Sequence, residues 1–196
     1  MFDRHYATGF SRAAQPSLAY RGELALAWEG WIGSETELRY HVRMDYQAIL
    51  AAPFAKLGIR CTDEALLAIE FLPPNIRASP PRSAMAREVG RQIEAYLADA
   101  GFHFDLPLKL EGTVHQRKVW QAMRAIPCGE PQTYGELAAR LGSSARAVGQ
   151  ACGNNPVPIV IPCHRVVSKS GLGGFMHRAD NDALNIKRWL LAHERR

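Results

Sequence analysis

The sequence predicts an α/β N-terminal region followed by a mainly α C-terminal domain that contains a helix-turn-helix. Two observations predict this division. Short apolar runs separated by polar turns lie in the first part, as in paired strands, whereas capping boxes followed by apolar residues at helical spacing recur in the second. We place the boundary between residues 46–110 and residues 111–196. Residues 1–45 show no clear period and form an N-terminal extension of unknown role.

Two strands and one helix are predicted within residues 46–110. The apolar runs at 56–61 and 65–72 flank a short polar turn, which is typical of a strand pair. Prolines then mark a loop. The helix begins at about Ser83, because apolar side chains recur at helical spacing from there, and Gly101 is expected to end it.

Two capping boxes open helices in the C-terminal part. Thr113 with Gln116 and Thr133 with Glu136 have the required spacing, and apolar side chains at helical spacing follow each pair. Pro127 ends the first of these helices. The sequence therefore predicts two helices whose starting residues are well defined.

A short turn separates the second of these helices from a third. Gly142 is expected to end one helix, Ser143 to cap the next, and Gly153 to end it. Two short helices joined in this way form a helix-turn-helix pattern, although many helical hairpins with this pattern bind no DNA. The last helix is predicted to begin at Asp182 and to end near Glu194.

Composition and targeting signals narrow the class of protein. The chain has 196 residues, of which 47% are apolar, and this suits one or two globular domains. Its four cysteines form no C-x-x-C pair, so neither a disulfide framework nor a zinc ribbon is expected. No run approaches the roughly 20 apolar residues of a membrane span, and no signal peptide is evident. We therefore expect a cytoplasmic protein with reduced cysteines and no membrane partner.

The net charge of +5 is unevenly distributed. Residues 1–110 carry 12 basic and 13 acidic side chains, whereas residues 111–196 carry 12 basic and 6 acidic ones. A basic C-terminal part favours an anionic partner, with nucleic acid the first candidate. A solvated basic surface without a partner would have the same composition.

Cys163 and His164 are the strongest candidates for chemistry. The thiolate is the nucleophilic form of cysteine, and a neighbouring imidazole can take the thiol proton directly or through a water. Adjacent residues of an extended strand face opposite ways, so Pro162 and the loop after Val167 suggest a bend that lets the two side chains meet. Glu194 is the favoured group to orient the imidazole, if the last helix packs nearby.

Simpler interpretations remain for each candidate taken alone. Cys163 and His164 could be structural, Arg146 could be a surface charge, and Tyr134 could be a core aromatic residue. The other three cysteines are most simply small buried groups. A metal site formed by Cys152 with Cys163 and His164 fits no common zinc spacing. The glycines at 171, 173 and 174 match no phosphate-binding pattern.

Residues 153–167, GNNPVPIVIPCHRVV, resemble the motif of the O6-alkylguanine-DNA alkyltransferases, or methylated-DNA–protein-cysteine methyltransferases. The resemblance covers about residues 46–196 and includes TYG at 133–135, ARAVG at 145–149 and WLLAHE at 189–194. Two other classes of protein fit the sequence less well. A relative that only binds alkylated DNA would lack the cysteine, and a Cys–His hydrolase would need an oxyanion site that we cannot identify.

The resemblance implies how such a protein meets its substrate. The N-terminal domain would be ribonuclease-H-like, and the helix-turn-helix would bind double-stranded alkylated DNA in the minor groove as a monomer. Arg146 would fill the gap left by a flipped nucleotide, and Tyr134 would lie beside that nucleotide. Further DNA contacts are implied for three small residues, Ser143, Ala147 and Ala151.

The resemblance also implies a single displacement. Cys163 attacks the alkyl carbon of O6-alkylguanine, His164 accepts the thiol proton through a water, and Glu194 orients the imidazole. Tyr134 donates a proton to the purine, and Asn155 braces the turn. The thioether product is stable, so each molecule reacts once and needs no cofactor. O4-alkylthymine is left open as a second substrate.

The substrate pocket is where the sequence departs from the family. Val166, Gly174 and Phe175 are expected to line the pocket, with the carbonyls of Cys163 and Val166 facing the guanine amino group. Residues 174–182 are longer and more polar than the corresponding family loop, so the size of the accepted alkyl group is left open. Some members carry an N-terminal zinc site, but Cys61 is the only cysteine in this N-terminal half, so no metal is expected.

Overall fold

Three short antiparallel strands begin the part of the chain that the structure, a computed structural model, describes, which is residues 46–195. The predicted extension at 1–45 lies outside the described residues. The sheet and its helix are β1 (Ala48–Ala52), β2 (Ala55–Cys61), β3 (Leu66–Leu72) and α1 (Ala84–Ala98). The sequence predicted β2, β3 and α1 but not β1, whose alanines have low β-propensity.

One face of this sheet is buried against α1. Ile59 of β2 lies opposite Ile69 of β3, and both are almost fully buried. Val89 and Ile93 are the matching buried residues of α1, one helical turn apart. Burial of these side chains is what holds the N-terminal elements together.

The rest of the chain is mainly helical. Its helices are α2 (Val114–Arg124), α3 (Tyr134–Leu141), α4 (Ala145–Gly153) and α5 (Asn181–His193). A small N-terminal sheet therefore precedes a helical C-terminal region, as predicted. Between residues 46 and 195, no helix is long and apolar enough to cross a membrane.

Both predicted capping boxes are confirmed, and Gly142 ends α3 in the left-handed conformation with φ 60°. Three predicted helix boundaries were wrong, two of them N-terminal and one C-terminal. Ser144 caps α4 in place of Ser143, and Asp180 caps α5 in place of Asp182. In each case two equivalent capping side chains lie close together in the sequence, so side-chain type did not distinguish them. The third, α1, stops at Asp99, before Gly101.

A two-residue parallel pairing connects α3 to the segment that carries Cys163. Strand β4 (Gln132–Thr133) pairs with β5 (Val166–Val167), and Thr133 is also the N-cap of α3. Cys163 itself lies in a single 3-10 turn, Cys163–Arg165, directly before β5. This pairing fixes the start of α3, and with it Tyr134, beside the Cys163 turn.

Candidate active site

Cys163 and His164 lie in the 3-10 turn, which provides the bend that the sequence suggested. Both are buried, with 3% and 0% of their surface exposed. Asn155 braces the chain that leads to them: its Nδ2 donates to the Ile161 carbonyl at 2.7 Å, and its Oδ1 accepts from the Val157 N–H at 3.1 Å. The backbone before the nucleophile is therefore held at two points.

His164 is paired with Glu194 from the end of α5. His164 Nε2 lies 2.7 Å from Glu194 Oε1, and both side chains are buried. A carboxylate only accepts hydrogen bonds, so Nε2 carries the hydrogen and Nδ1 keeps its lone pair. Nδ1 is buried and has no hydrogen-bond partner among residues 46–195. The imidazole is thus oriented with one nitrogen available as a proton acceptor.

Two further groups hold the Glu194 carboxylate. Arg165 donates from Nε to Oε2 and from Nη2 to Oε1, both at 2.9 Å, and the Tyr96 hydroxyl donates to Oε1 at 2.9 Å. Burial acts to raise the pKa of Glu194, but the hydrogen bonds from His164 and Arg165 outweigh it and lower the pKa to about 2. Glu194 therefore remains a carboxylate at neutral pH.

The nucleophile and its base are both neutral at rest. Burial raises the pKa of Cys163 to about 11, although a hydrogen bond from Asn155 and the charge of Lys187 act to lower it. Burial also lowers the pKa of His164, against the opposing effect of Glu194. Cys163 is therefore a thiol and His164 an unprotonated imidazole at pH 7, so any nucleophilic attack by Cys163 requires the thiol to lose its proton.

Lys187 is a fully buried cation behind the site. Its Nζ donates to the carbonyls of Val166, Leu172 and Gly174 at 2.7, 2.6 and 3.0 Å. Burial lowers its pKa to about 8, so the ammonium form with its three donors still predominates at neutral pH. The Val166 carbonyl, expected to face the substrate, therefore already accepts one hydrogen bond.

A cavity of about 310 Å³ opens in front of Cys163. Tyr134 lines it and donates its hydroxyl to the Gly174 carbonyl at 3.3 Å. Of the predicted pocket residues, Gly174 and Phe175 line this cavity, whereas Val166, which directly follows the turn, is fully buried. Met176, which the sequence did not indicate, also lines the cavity, and its Sδ lies 3.8 Å from Cys163 Sγ.

Three of the predicted DNA-contact residues lie on α4. Arg146 is exposed and Ala147 half-buried, and both line a shallow groove beside α2. Ala151 is 2% exposed, and its carbonyl accepts from Trp120 Nε1 at 2.8 Å. Ala151 thus packs largely into the core while it also borders this groove, and its contact with DNA stays a prediction.

Ser143 occupies the turn between α3 and α4. Its hydroxyl lies 2.9 Å from His115 Nε2, so it ties this turn to α2 and caps no helix.

Sequence reasoning missed three polar residues of the site. Arg165 lies within the matched motif, so its position was visible but its partner was not. Lys187 lies on the buried stripe of α5 together with Ala183 and Leu190, and a charge on such a stripe is a detectable signal. Tyr96 lies 98 positions before Glu194, and nothing local to it indicated the contact.

Comparisons with known proteins show which family this chain resembles. Residues 114–196 match the family model described as 6-O-methylguanine DNA methyltransferase, DNA binding domain. A methylated-DNA–protein-cysteine methyltransferase of Methanosarcina acetivorans is 38% identical over 157 residues, which is 76% of this chain and 97% of the relative. One of Mycobacterium bovis is 39% identical over 141 residues, 70% of this chain and 82% of the relative.

Solved structures give the same result. The crystal structure of Mycobacterium tuberculosis O6-methylguanine methyltransferase aligns with a TM-score of 0.63 at 33% identity, covering 76% of this chain and 92% of that one. The Mycobacterium tuberculosis OGT in complex with DNA aligns with a TM-score of 0.62 at 34% identity, covering 75% and 91%. Sequence and fold thus point to the class of proteins that transfer a methyl group from methylated DNA to a cysteine of the protein. The chain belongs to the methylated-DNA–protein-cysteine methyltransferase family.

Proposed function

We propose that this protein repairs DNA by moving the alkyl group of O6-alkylguanine onto its own Cys163, once per molecule. The observation that carries the proposal is the buried series Cys163, His164 and Glu194, in which Nδ1 of the imidazole is left as a proton acceptor. Family membership supports the same reaction. O4-alkylthymine stays open as a second substrate.

The proton leaves Cys163 as the sulfur attacks. A water bridges the thiol to His164 Nδ1, and the adjacent carboxylate of Glu194 stabilises the imidazolium that forms. The new S–C bond forms as the O6–C bond breaks. Overall the alkyl group replaces the thiol proton and guanine takes up one proton, so no further reactant or cofactor is needed.

Tyr134 is the donor to the departing purine. Burial raises its pKa to about 12, so its hydroxyl keeps its proton at neutral pH and can donate toward guanine. Its present acceptor is the Gly174 carbonyl at 3.3 Å, a long hydrogen bond that the purine can replace. Asn155 acts indirectly, because its hydrogen bonds hold the backbone that leads to the Cys163 turn.

DNA is bound through α3 and α4, which we assign as a helix-turn-helix that enters the minor groove. An alkyl carbon within a stacked duplex is out of reach of a buried cysteine, so the nucleotide has to be flipped into the cavity. Arg146 is exposed on α4 and would fill the space left in the stack. Ala147 and Ser143 lie near Arg146, and their small side chains allow the protein to approach the DNA backbone closely.

The remaining parts of the proposal concern organisation. We assign residues 46–110 to a ribonuclease-H-like domain and 111–196 to the DNA-binding, alkyl-accepting domain, and we propose a monomer that acts in the cytoplasm. The sheet and α1 support the assignment of the first domain, and the basic excess supports DNA binding by the second.

Transfer of a labelled methyl group tests the proposal. The protein is incubated with duplex DNA that carries labelled O6-methylguanine, and label is counted on protein, on DNA and in solution. We expect at most one equivalent on the protein, lost in Cys163→Ala and kept in Cys152→Ala, a matched variant because Cys152 is buried and lines the same cavity. Label released over many cycles would indicate a hydrolase, and binding without transfer would indicate a recognition protein.

A further inference from the structure

A tight hairpin forms one wall of the cavity in front of Cys163. Phe175 and Arg178 exchange two backbone hydrogen bonds, of 2.8 and 2.9 Å, around Met176 and His177. Both central residues have positive φ, 51° and 58°. Two-residue hairpin turns with two positive φ angles favour Asn-Gly, so long side chains at both positions are unusual. A left-handed conformation of this kind is retained only where the surroundings hold it.

Three contacts hold the hairpin in place. Phe175 is buried and packs on Phe71 of β3, with ring centroids 5.5 Å apart. Arg178 pairs with Asp180 through two hydrogen bonds, of 2.7 and 3.0 Å, and Asp180 caps α5.

The third contact joins the hairpin to α4. The imidazole of His177 lies across Gly153, the last residue of that helix, so closely that a Cβ on Gly153 would overlap the ring. The wall thus contacts β3 and α4, and its Arg178 is paired with the residue that caps α5.

The hairpin places the Met176 side chain against the sulfur of Cys163. Met176 Sδ lies 3.8 Å from Cys163 Sγ, which is van der Waals contact between two sulfur atoms. A transferred group ends up bonded to Sγ, so its outer atoms must share the space that the thioether now fills. A methyl group needs only a small adjustment of this unbranched, flexible side chain. An aromatic or branched group requires the side chain to leave.

We propose that Met176 determines specificity, by restricting transfer to small alkyl groups such as methyl. This inference rests on the proposed function, and it specifies which alkyl groups the site accepts. The restriction arises from the hairpin that the longer 174–182 segment forms, and rates should fall in the order methyl, ethyl, benzyl.

Paired substrates test the proposal. The same duplex is prepared with O6-methylguanine or with O6-benzylguanine, and second-order rate constants for transfer to Cys163 are measured for wild type, Met176→Ala and Met176→Leu. We expect the benzyl-to-methyl ratio to rise about 10-fold or more in Met176→Ala, the range for opening a pocket by a few carbon atoms. In Met176→Leu, which keeps most of the volume, we expect a change of less than about threefold.

Several outcomes would overturn the inference. These are an unchanged ratio in Met176→Ala, or a wild type that accepts benzyl as fast as methyl.

If Met176→Ala does not fold, Met176→Gly removes the thioether and suits the positive φ, so it should show the same increase. Met85→Ala, a half-buried methionine on α1, is the control and should leave the ratio unchanged. Failure of wild type to transfer methyl would contradict the proposed function, whereas normal methyl transfer with an unchanged ratio would contradict this inference alone.

Discussion

The Tyr96 hydroxyl donates a hydrogen bond to Glu194 Oε1 at 2.9 Å, and the same oxygen accepts from His164 at 2.7 Å. Tyr96 belongs to α1 of the N-terminal region, and His193 Nε2 lies 2.8 Å from its carbonyl. The N-terminal elements therefore contribute directly to the carboxylate that orients the base. These elements therefore help to position the active-site residues, in addition to packing against one another.

Tyr96→Phe is expected to destabilise the protein. It removes one hydrogen bond to a buried carboxylate, so the free energy of unfolding should fall by about 1–3 kcal/mol. Denaturant unfolding monitored by circular dichroism measures this. Tyr46→Phe is the matched control, because its hydroxyl bonds Glu70, whose side chain is 40% exposed, and should have a smaller effect. Equal losses in the two variants would contradict a special role for the Glu194 contact.

The rate of methyl transfer should fall only in acid. The pKa of His164 lies below its ordinary value of 6.5 because the imidazole is buried. The base works when neutral, so wild type should keep its rate from neutral pH down to 6.5 and lose it only at lower pH, as the pH falls through the lowered pKa of His164. Single-turnover assays across pH 5–8 test this, and loss of rate on going from pH 7 to 8 would contradict it.

His164→Asn should show a different pH profile. Without the base only the Cys163 thiolate present at equilibrium reacts, and burial raises the pKa of that thiol to about 11. The rate should be low at pH 7 and rise about tenfold per pH unit in alkali, until the thiol ionises. The same single-turnover assay measures it, with circular dichroism at each pH as the folding control. A flat profile would show that His164 is not the proton acceptor.

Lys187→Met should be severely destabilising. The variant removes the donor shared by the carbonyls of Val166, Leu172 and Gly174. The Gly174 carbonyl still accepts from the Tyr134 hydroxyl, whereas the other two lose this donor, and each unsatisfied buried group costs about 1–3 kcal/mol. We expect a loss of at least about 2 kcal/mol in the free energy of unfolding. Lys169→Met, at an exposed position, should change it by less than about 0.5 kcal/mol. A small loss in Lys187→Met would mean that the carbonyls find other donors.

Arg146→Ala should separate DNA handling from chemistry. Filling the stack matters only when the base comes from a duplex, so duplex repair should slow at least about tenfold while reaction with free O6-methylguanine changes less than about twofold. Lys118→Ala on α2 removes an exposed charge outside the two helices assigned to DNA and is the control for a general loss of basic charge. Equal slowing with duplex and free base would remove the assigned role of Arg146.

Much of the fold was predictable because its signals are local. A Thr-x-x-Gln or Thr-x-x-Glu pair defines a helix start within four residues, and both capping boxes formed as expected. Errors arose where the local signal is degenerate. Ser143 and Ser144 cap equally well in principle, and only the contact of Ser143 with His115 decides between them.

The site was predictable to the extent that its residues share one motif. Cys163 and His164 are adjacent, and Glu194 ends the helix that follows. Tyr96 and Met176 were not identified, because each becomes relevant through a tertiary contact with a residue far from it in the sequence. The Met176 position depends on a hairpin whose two left-handed residues lack the Asn-Gly sequence that would normally predict it.

The burial of Cys163 has a consequence for the lifetime of the protein. A molecule that can be used only once is lost if its sulfur meets an oxidant or a stray electrophile before it meets damaged DNA. A thiol with a pKa of about 11 and 3% exposure contributes almost no thiolate to such encounters. In the proposed mechanism the sulfur reacts only when an alkyl carbon is presented to Sγ while the imidazole takes the proton. The same burial that weakens the resting nucleophile preserves the unreacted pool until damage appears.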